Sequence, residues 1–169
     1  MNEKAIPKPD FLTEEQWQQL LQGRISPDHT RATSRAHLQL YEATQGGEGS
    51  DETQGGRTLL LTTIGRKSGK EVTTPLNYVQ DGDNVIIVGS LFGFDEHPHW
   101  VLNLDKHPRG SVQIKDRKWP VTAHRATPEE KARLWPMLTA EFPLWGHFQK
   151  YSERDFKVFI LSPEKAENK

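Results

Sequence analysis

Cysteine is absent from all 169 residues of the chain. This absence excludes disulfide bonds, a thiolate nucleophile and the zinc and iron–sulfur sites that depend on cysteine ligands. It also agrees with the reducing conditions of the cytoplasm, where structural disulfides seldom persist.

The chain also lacks an excess of one charge and a long apolar segment. Its formal net charge is -1 at pH 7, so no strong field directs it to nucleic acid or to an anionic membrane. The amino terminus is polar and has no apolar signal core, and no apolar run approaches the roughly 20 residues that span a bilayer. We therefore predict a soluble, cytoplasmic protein with no transmembrane segment and no nucleic-acid partner.

Several catalytic motifs are missing as well. The sequence contains no P-loop, no Gly-x-Gly-x-x-Gly motif and no Ser–His–Asp order in a supporting context. His97 and His99, with Asp95 nearby, could face one metal ion, but Pro98 stiffens this segment and a third ligand is not evident. We therefore predict no metal site.

The most informative stretch present is RTLLLTTIGRKSGKEVTTPLNYV, residues 57–79. Its leucine-rich first part suits a strand buried on both faces, and its last part is a second strand rich in Val and Thr. The turn between them places Arg66, Lys67 and Ser68 between two glycines, which tolerate positive φ. Three such donors suit a phosphate or carboxylate ligand, although soluble basic hairpin tips are also common.

The remaining pattern predicts helices before, between and after further strands. Capping boxes begin helices at Thr13 and Thr127, and Ser26-Pro27 begins another. Further strands are predicted at residues 84–90, 111–115, 119–125 and 155–161, and short helices at 96–106 and 142–151. About six strands joined mostly by tight turns indicate antiparallel pairing rather than a Rossmann fold. We predict an α+β fold, a split antiparallel β-barrel with flanking helices.

The expected organisation has three parts. We predict an N-terminal helical or flexible extension at residues 1–37, a cofactor-binding barrel at 38–162 and a charged tail at 163–169. The Gly-rich segment 45–56 is predicted to be a mobile loop beside a site rather than a linker, because the residues before it are too polar to form a core alone.

Four aromatic residues recur at a spacing of three near the C terminus: Phe142, Trp145, Phe148 and Tyr151. This spacing places them on roughly one face of a helix. Core packing is the ordinary explanation, and a wall over a flat ligand is the functional one. With the anion-holding turn and the Gly-Ser end of strand 84–90, the functional explanation favours a phosphate-bearing ring cofactor.

Four segments in this order resemble the deazaflavin-dependent nitroreductase family, part of the flavin and deazaflavin oxidoreductases: LLLTTIGRKSGKEVTTPL, DGDNVIIVGS, HPHWVLNL and SVQIKDRKWPVTAHRATPEEKARLWP. The resemblance covers about residues 38–162. It implies a split barrel related to the flavin-mononucleotide-binding fold, with coenzyme F-420, an 8-hydroxy-5-deazaflavin, as cofactor. It also implies hydride transfer from the reduced cofactor to an organic acceptor: a quinone, a nitroaromatic compound or an activated alkene.

The same resemblance implies roles for individual residues. The turn would hold the cofactor phosphate and acidic tail with Arg66, Lys67 and Ser68. The second strand would line the ring with Thr74, Pro75, Leu76 and Asn77, and the third would face it with Val88, Gly89, Ser90 and Leu91. The following helix would close the tail side with His99, Trp100 and Asn103, and the acceptor would meet Phe142, Trp145 and Phe148.

Departures from the family pattern keep alternatives open. Val72 and Leu91 stand where the well-studied nitroreductase has an arginine and a lysine, so positive charge near an anionic ligand is lost. The acceptor-facing aromatic residues lack that protein's tyrosine hydroxyls, which leaves Ser90 and Tyr151 as candidate catalytic proton donors. The alternatives are an FMN- or FAD-dependent reductase and a non-enzymatic carrier of an apolar ligand. Either a monomer or a homodimer is compatible with the sequence.

Overall fold

The structure, a computed structural model, describes residues 5–50 and 57–164. Two helices come first, α1 (Glu14–Gly23) and α2 (Pro27–Thr44). The strands are β1 (Thr58–Ile64), β2 (Glu71–Asn77), β3 (Val79–Asp81), β4 (Asn84–Val88), β5 (Arg109–Ile114), β6 (Arg117–Arg125) and β7 (Val158–Pro163). The later helices are α3 (His99–Lys106), α4 (Pro128–Glu141) and α5 (Pro143–Tyr151), and Leu91–Gly93 forms one 3₁₀ turn.

Helices α1, α2 and α4 begin where the capping signals predict. Thr13 and Thr127 each accept a hydrogen bond from a backbone N–H three residues later, and each capping box is complete. The Ser26 side chain accepts from the N–H of His29 in the same way. These side chains satisfy N–H groups that have no partner within the helix, so the predicted starts are confirmed.

The strands of the described residues form one antiparallel sheet in the order β2-β1-β5-β6-β7-β4-β3. β2 and β3 lie at opposite edges of this order, yet only Tyr78 separates them in the chain. Two peptide steps span at most about 7 Å, so the sheet must curl until its edges approach each other. The predicted split antiparallel barrel with flanking helices is thereby confirmed.

The strand count corrects one expectation. The sequence predicts a single second strand up to Val79, whereas the structure divides this run at Tyr78 and has seven strands rather than six among the residues that it describes. Asn77 lies opposite Thr58 at one edge of the sheet, and Val79 lies opposite Ile86 at the other. The local pattern of β-forming residues is the same on both sides of Tyr78, so it does not predict that the chain changes from pairing with β1 to pairing with β4 at this residue.

Three further boundaries also differ from the predicted ones. β4 ends at Val88, because Ser90 has helical backbone angles of φ -78° and ψ -40°. α3 begins at His99 rather than at residue 96, since Pro98 disfavours a helical conformation of the residue before it. β7 begins at Val158 rather than at residue 155.

Hydrophobic residues form two cores on either side of the curled sheet, and β4 contributes to both. Val85 and Ile87 point into the barrel, where they join Trp100 and Leu104 of α3. The alternate residues Ile86 and Val88 join the outer core with side chains of α1, α4 and α5, among them Trp17, Leu138 and Trp145. Side chains of a strand alternate between faces, so burial of every residue from Val85 to Val88 reflects these two cores.

The N-terminal extension is attached to the barrel. The boundary predicted after residue 37 lies within α2, whose Tyr41 is fully buried. The Tyr41 hydroxyl accepts from the Lys115 N–H at 2.8 Å and donates to the Thr58 carbonyl at 3.2 Å. Part of the predicted mobile loop, residues 45–50, follows this contact, and Ser50 is buried. The rest of that loop, 51–56, and the end of the predicted tail, 165–169, lie outside the described residues. Within the described ranges, no helix has the length and apolar character needed to cross a membrane.

Candidate functional site

The turn between β1 and β2 is closed by its own backbone. The N–H of Gly65 donates to the Lys70 carbonyl at 2.7 Å, and the N–H of Gly69 donates to the Gly65 carbonyl at 2.9 Å. Gly69 has φ +70°, a conformation that disfavours a side chain. Lys67 and Ser68 are exposed at the tip, and the Lys67 ammonium has no partner in the described part of the chain. This tip is therefore free to meet an anionic group.

Asn103 of α3 fixes the turn. It is only 3% exposed, and its Oδ1 accepts from the Arg66 N–H at 3.1 Å and from the Arg66 guanidinium at 3.2 Å. Its Nδ2 donates to Thr63 Oγ1 at 3.1 Å. Lys106 adds a fourth bond, from its ammonium to the Arg66 carbonyl at 3.0 Å. Asn103 thus holds Arg66 and the turn in place, and it does not line the ligand cavity.

A cavity of about 360 Å³ lies among β2, the end of β4, α2 and α5. This volume falls within the range of about 300–1,000 Å³ that is typical of small-molecule sites. Many of the predicted cofactor and acceptor residues meet on its wall: Thr74, Pro75, Leu76, Asn77, Val88, Ser90, Leu91, His99, Trp100, Phe142, Trp145 and Phe148.

Other predicted residues lie off this wall. Arg66, Lys67 and Ser68 belong to the turn, and Asn103 lies behind it. Gly89 instead bonds to the Lys157 carbonyl through its N–H, at 2.8 Å. A Cβ at Gly89 would lie 2.7 Å from Val101 Cγ2, so glycine is required there by close packing of α3.

The aromatic residues of α5 and of its N-terminal cap both pack in the core and line the cavity. Phe142, Trp145 and Phe148 are buried core residues, and all three also line the cavity. The rings of Phe142 and Trp145 lie 4.8 Å apart. Tyr151 differs, since it is 37% exposed, lies off the cavity wall and contacts His147 at a ring distance of 5.1 Å. Its proposed role as proton donor stays a prediction that its position does not support.

The segment Ser90–Phe92 has an unusual backbone where it lines the cavity. Leu91 has φ +40° and Phe92 has φ +50°, in the left-handed region that residues with side chains seldom adopt. Each such residue costs about 1 kcal/mol or more, so other contacts must hold the segment. One of them is Arg24, whose Nε donates to the Phe92 carbonyl at 2.8 Å. Neither Leu nor Phe signals a left-handed conformation, so the sequence does not reveal it.

Helix α2 supplies a part of the wall that the sequence analysis missed. Its contribution consists of Thr30, Arg31, Ser34 and Arg35. Arg31 pairs with Glu96 and also with Asp28 at 2.8 Å, whereas Arg35 is exposed and has no partner among residues 5–50 and 57–164. These cations line the same cavity as the uncharged Val72 and Leu91. The spacing of the four residues, which puts them on one helical face, was the available signal.

The environment of His99 lowers the pKa of its imidazole and so favours the neutral form. Burial lowers its pKa below 6.5, the positive charges of Arg31, Arg66 and Lys67 lower it further, and Glu96 opposes them. The pKa of His99, on the cavity wall, is therefore lowered by the positive charges of both α2 and the β1–β2 turn.

We expect an anionic ligand of this cavity to bind more tightly as the pH falls from about 7 to about 5. A bound anion favours protonated His99, so binding takes up a proton in this range. In the absence of ligand, His99 has a lower pKa in the folded chain than in the unfolded chain, so the unfolded chain binds the proton more tightly. The free energy of unfolding therefore decreases as the pH falls below 6.5. The dissociation constant of coenzyme F-420, measured by fluorescence across this range, should lose much of its pH dependence in His99→Gln. Equal pH dependence in both proteins would contradict the assignment.

Known proteins are similar to this chain in sequence and in fold. The model of the family described as F420H(2)-dependent quinone reductase matches residues 33–163. One Mycobacterium tuberculosis protein, whose name assigns it provisionally to these reductases, is 42% identical over 106 residues, which cover 63% of this chain and 89% of the relative. Another protein of that organism, named F420H(2)-dependent quinone reductase, is 30% identical over 131 residues, 76% of this chain and 88% of that protein.

Solved structures agree with the sequence comparisons. A structure described as an F420-H2 dependent reductase (FDR-A) superposes with a TM-score of 0.58 and 33% identity, over 62% of this chain and 93% of that chain. A chain described as a domain-swapped dimer superposes with a TM-score of 0.61 and 29% identity, over 81% of this chain and 100% of that chain. Because the family match spans most of the sequence, this protein belongs to the F420H(2)-dependent quinone reductase family.

Proposed function

We propose that this protein takes a hydride from reduced coenzyme F-420 and delivers it to a quinone. The observation that carries this proposal is one cavity that combines an aromatic wall, uncharged strand residues and the cations of α2, beside the cationic β1–β2 turn. Family membership supplies the cofactor and acceptor classes, since the family is described by both. When bound, the reduced deazaflavin supplies a hydride and a proton, which together convert a quinone to a hydroquinone.

The residues present fit such a cofactor. Strand β2 lines the cavity with the apolar Pro75 and Leu76 and with Thr74 and Asn77, whose side chains can form hydrogen bonds with ring oxygens and nitrogens. The exposed Lys67 ammonium at the nearby turn suits the phosphate and carboxylates of the cofactor tail. We infer that the ring enters the cavity and that the tail runs towards this turn.

Ser90 is the side chain to which we assign contact with the reacting groups. It lines the cavity, and its hydroxyl has no partner within the described residues. A free hydroxyl can donate a hydrogen bond to the quinone oxygen as negative charge develops there. The Ser90 hydroxyl stays neutral in this role. We assign no step to Tyr151, which lies off the wall.

The aromatic wall suits a flat acceptor. Phe142, Trp145 and Phe148 line the cavity with largely buried, apolar rings that carry no hydroxyl groups, so they can exclude water from the space between acceptor and cofactor. They lack hydroxyl groups that could donate hydrogen bonds to a nitro group. A quinone is therefore the acceptor that we favour over a nitroaromatic compound or an activated alkene.

The test is anaerobic mixing of the protein with reduced F-420 and a naphthoquinone, followed by the absorbance of the oxidised cofactor. We expect one cofactor to be oxidised per quinone, at a rate proportional to protein concentration. Absence of oxidation with naphthoquinones and benzoquinones would contradict the proposal, and oxidation of reduced FMN alone would support the flavin alternative. Co-purified lipid or pigment, detected by mass spectrometry of the native protein, would support the carrier alternative.

Arg35→Ala should weaken the binding of F-420 about three- to tenfold, because a partly exposed charge contributes roughly 1 kcal/mol to an ionic contact. Arg133→Ala is the matched control, since Arg133 is an exposed arginine of α4 that does not line the cavity. Fluorescence titration at low and high salt measures both variants. An unchanged dissociation constant in Arg35→Ala, or an equal change in Arg133→Ala, would show that α2 does not contribute to the anion site.

A further inference from the structure

Arg154, just after α5, binds carbonyl oxygens instead of a carboxylate. Its guanidinium donates to the carbonyls of Gly89 at 2.7 Å, Ser90 at 2.6 Å and Phe94 at 2.9 Å. Three donors of one rigid fork therefore reach both ends of the segment that contains Ser90–Phe92. Such bonds from a charged donor are stronger than those between neutral groups.

The guanidinium is itself held in place. Its Cζ lies 4.7 Å from the centre of the Phe156 ring, and one nitrogen lies 3.3 Å from His97 Nδ1. The Arg154 backbone is also fixed, because its carbonyl accepts from Gln149 Nε2 of α5 at 2.8 Å and its N–H donates to Ser152 Oγ at 3.2 Å. The arginine thus connects the end of α5 rigidly to the segment after β4.

Arg154 remains charged at neutral pH despite this burial. Burial lowers its pKa to about 10, and the more distant carboxylates of Asp95, Glu96 and Asp155 oppose that change. A permanent cation with no carboxylate partner in the described ranges is costly to bury unless its donors are used. In this protein the guanidinium donors are bonded to the carbonyls of Gly89, Ser90 and Phe94.

The bound segment lines the cavity, whereas Arg154 does not. Ser90, Leu91 and Phe92 form part of the wall, and Leu91 and Phe92 have positive φ. A strained backbone of this kind persists only where its surroundings determine it, and it is frequent at ligand sites. Arg154 therefore holds this strained segment without itself lining the cavity.

We propose that Arg154 is a positioning residue, which holds the segment Ser90–Phe92 with Leu91 and Phe92 in their left-handed conformation and so sets the place of the Ser90 hydroxyl and of the bound ring. This inference rests on the proposed function, because it concerns how the same site positions the ring cofactor. It assigns the end of α5, outside the cavity, a role in the alignment of cofactor and acceptor.

The experiment compares Arg154→Lys and Arg154→Ala with Arg125→Ala. Arg125 is the matched control because its guanidinium also lies over a phenylalanine ring, 5.9 Å from the centre of Phe159, and pairs with Asp105, but it does not line or support the cavity. Three quantities are measured well below the melting temperature. They are the dissociation constant of oxidised F-420, the same constant in the presence of millimolar guanidinium, and the rate of hydrogen exchange of the Gly93 and Phe94 amides. These amides donate to the Ser90 and Leu91 carbonyls, so their exchange reports the segment without any cofactor.

We expect the dissociation constant to rise about tenfold in Arg154→Lys and further in Arg154→Ala, since a lysine cannot reach three carbonyls with one fork. Guanidinium should restore much of the affinity of Arg154→Ala and have no such effect on Arg125→Ala. Amide exchange of Gly93 and Phe94 should accelerate only in the Arg154 variants.

Two results would overturn the inference. The first is a folded Arg154→Lys protein that binds F-420 within about twofold of the wild type and exchanges both amides at the wild-type rate. The second is failure of Arg154→Lys to fold, which would make the arginine a stability residue. If the wild type binds no F-420, the proposed function fails, while the exchange of the two amides still tests whether Arg154 holds the segment.

Discussion

Asn103→Ala is expected to lower the free energy of unfolding by about 3 kcal/mol and to weaken F-420 binding about tenfold. The substitution removes the acceptor of two Arg66 donors and the donor to Thr63 Oγ1. Thr63 is 1% exposed, so water cannot readily replace the lost partner. The turn that presents Lys67 then loses its anchor on α3, which links the stability of the fold to the affinity for an anion.

Chemical denaturation and fluorescence titration measure these two effects. Asn84→Ala is the control, because Asn84 begins β4 away from the turn and the cavity, and we expect its effect to stay within about 0.5 kcal/mol. Wild-type stability and affinity in Asn103→Ala would show that the turn holds its shape without α3.

Gly110→Ala should lower the free energy of unfolding by about 3 kcal/mol, at the upper end of the usual cost of overpacking. A Cβ at this position would lie 2.2 Å from the carbonyl oxygen of Thr62 in the neighbouring strand β1. That atom belongs to the backbone of a paired strand, so no rotation of a side chain can relieve the collision. Strands β1 and β5 would have to separate where Ser111 faces Thr62.

The comparison with Gly23→Ala isolates the collision from the general cost of replacing glycine. A Cβ at Gly23 would meet Phe92 Cζ at 3.7 Å, an ordinary contact, and the residue lies at the end of α1. We expect Gly23→Ala to change stability by less than about 1 kcal/mol. A similar melting temperature for both variants would mean that β1 and β5 can yield at little cost.

The sequence predicts much of this fold because its signals are local. Capping boxes place the helix starts, the leucine-rich run predicts the buried strand β1, and two glycines mark the turn after it. The change of partner at Tyr78 could not be predicted in this way, because it depends on strands that are distant in sequence. Closure of the barrel is a property of the whole sheet.

The candidate site shows the same division. Residues of β2 and the aromatic residues of α5 and its N-terminal cap can be assigned from patterns within one element, and the structure brings them to one cavity. The spacing within α2 places Arg35 on one helical face, but which face meets the cavity depends on the packing of α2 against the barrel. The bonds of Arg154 to the segment after β4 likewise depend on tertiary packing. Nor does the pair Leu91-Phe92 resemble a left-handed turn, since tertiary contacts rather than intrinsic preference hold it there.

Titration of the purified protein with oxidised F-420, and separately with FMN, tests the central claim most directly. We predict saturable binding of one F-420 per chain, at least about tenfold tighter than that of FMN and weakened in Lys67→Ala. Equal or tighter binding of FMN, or binding of neither compound, would contradict the assignment of this cavity to a deazaflavin.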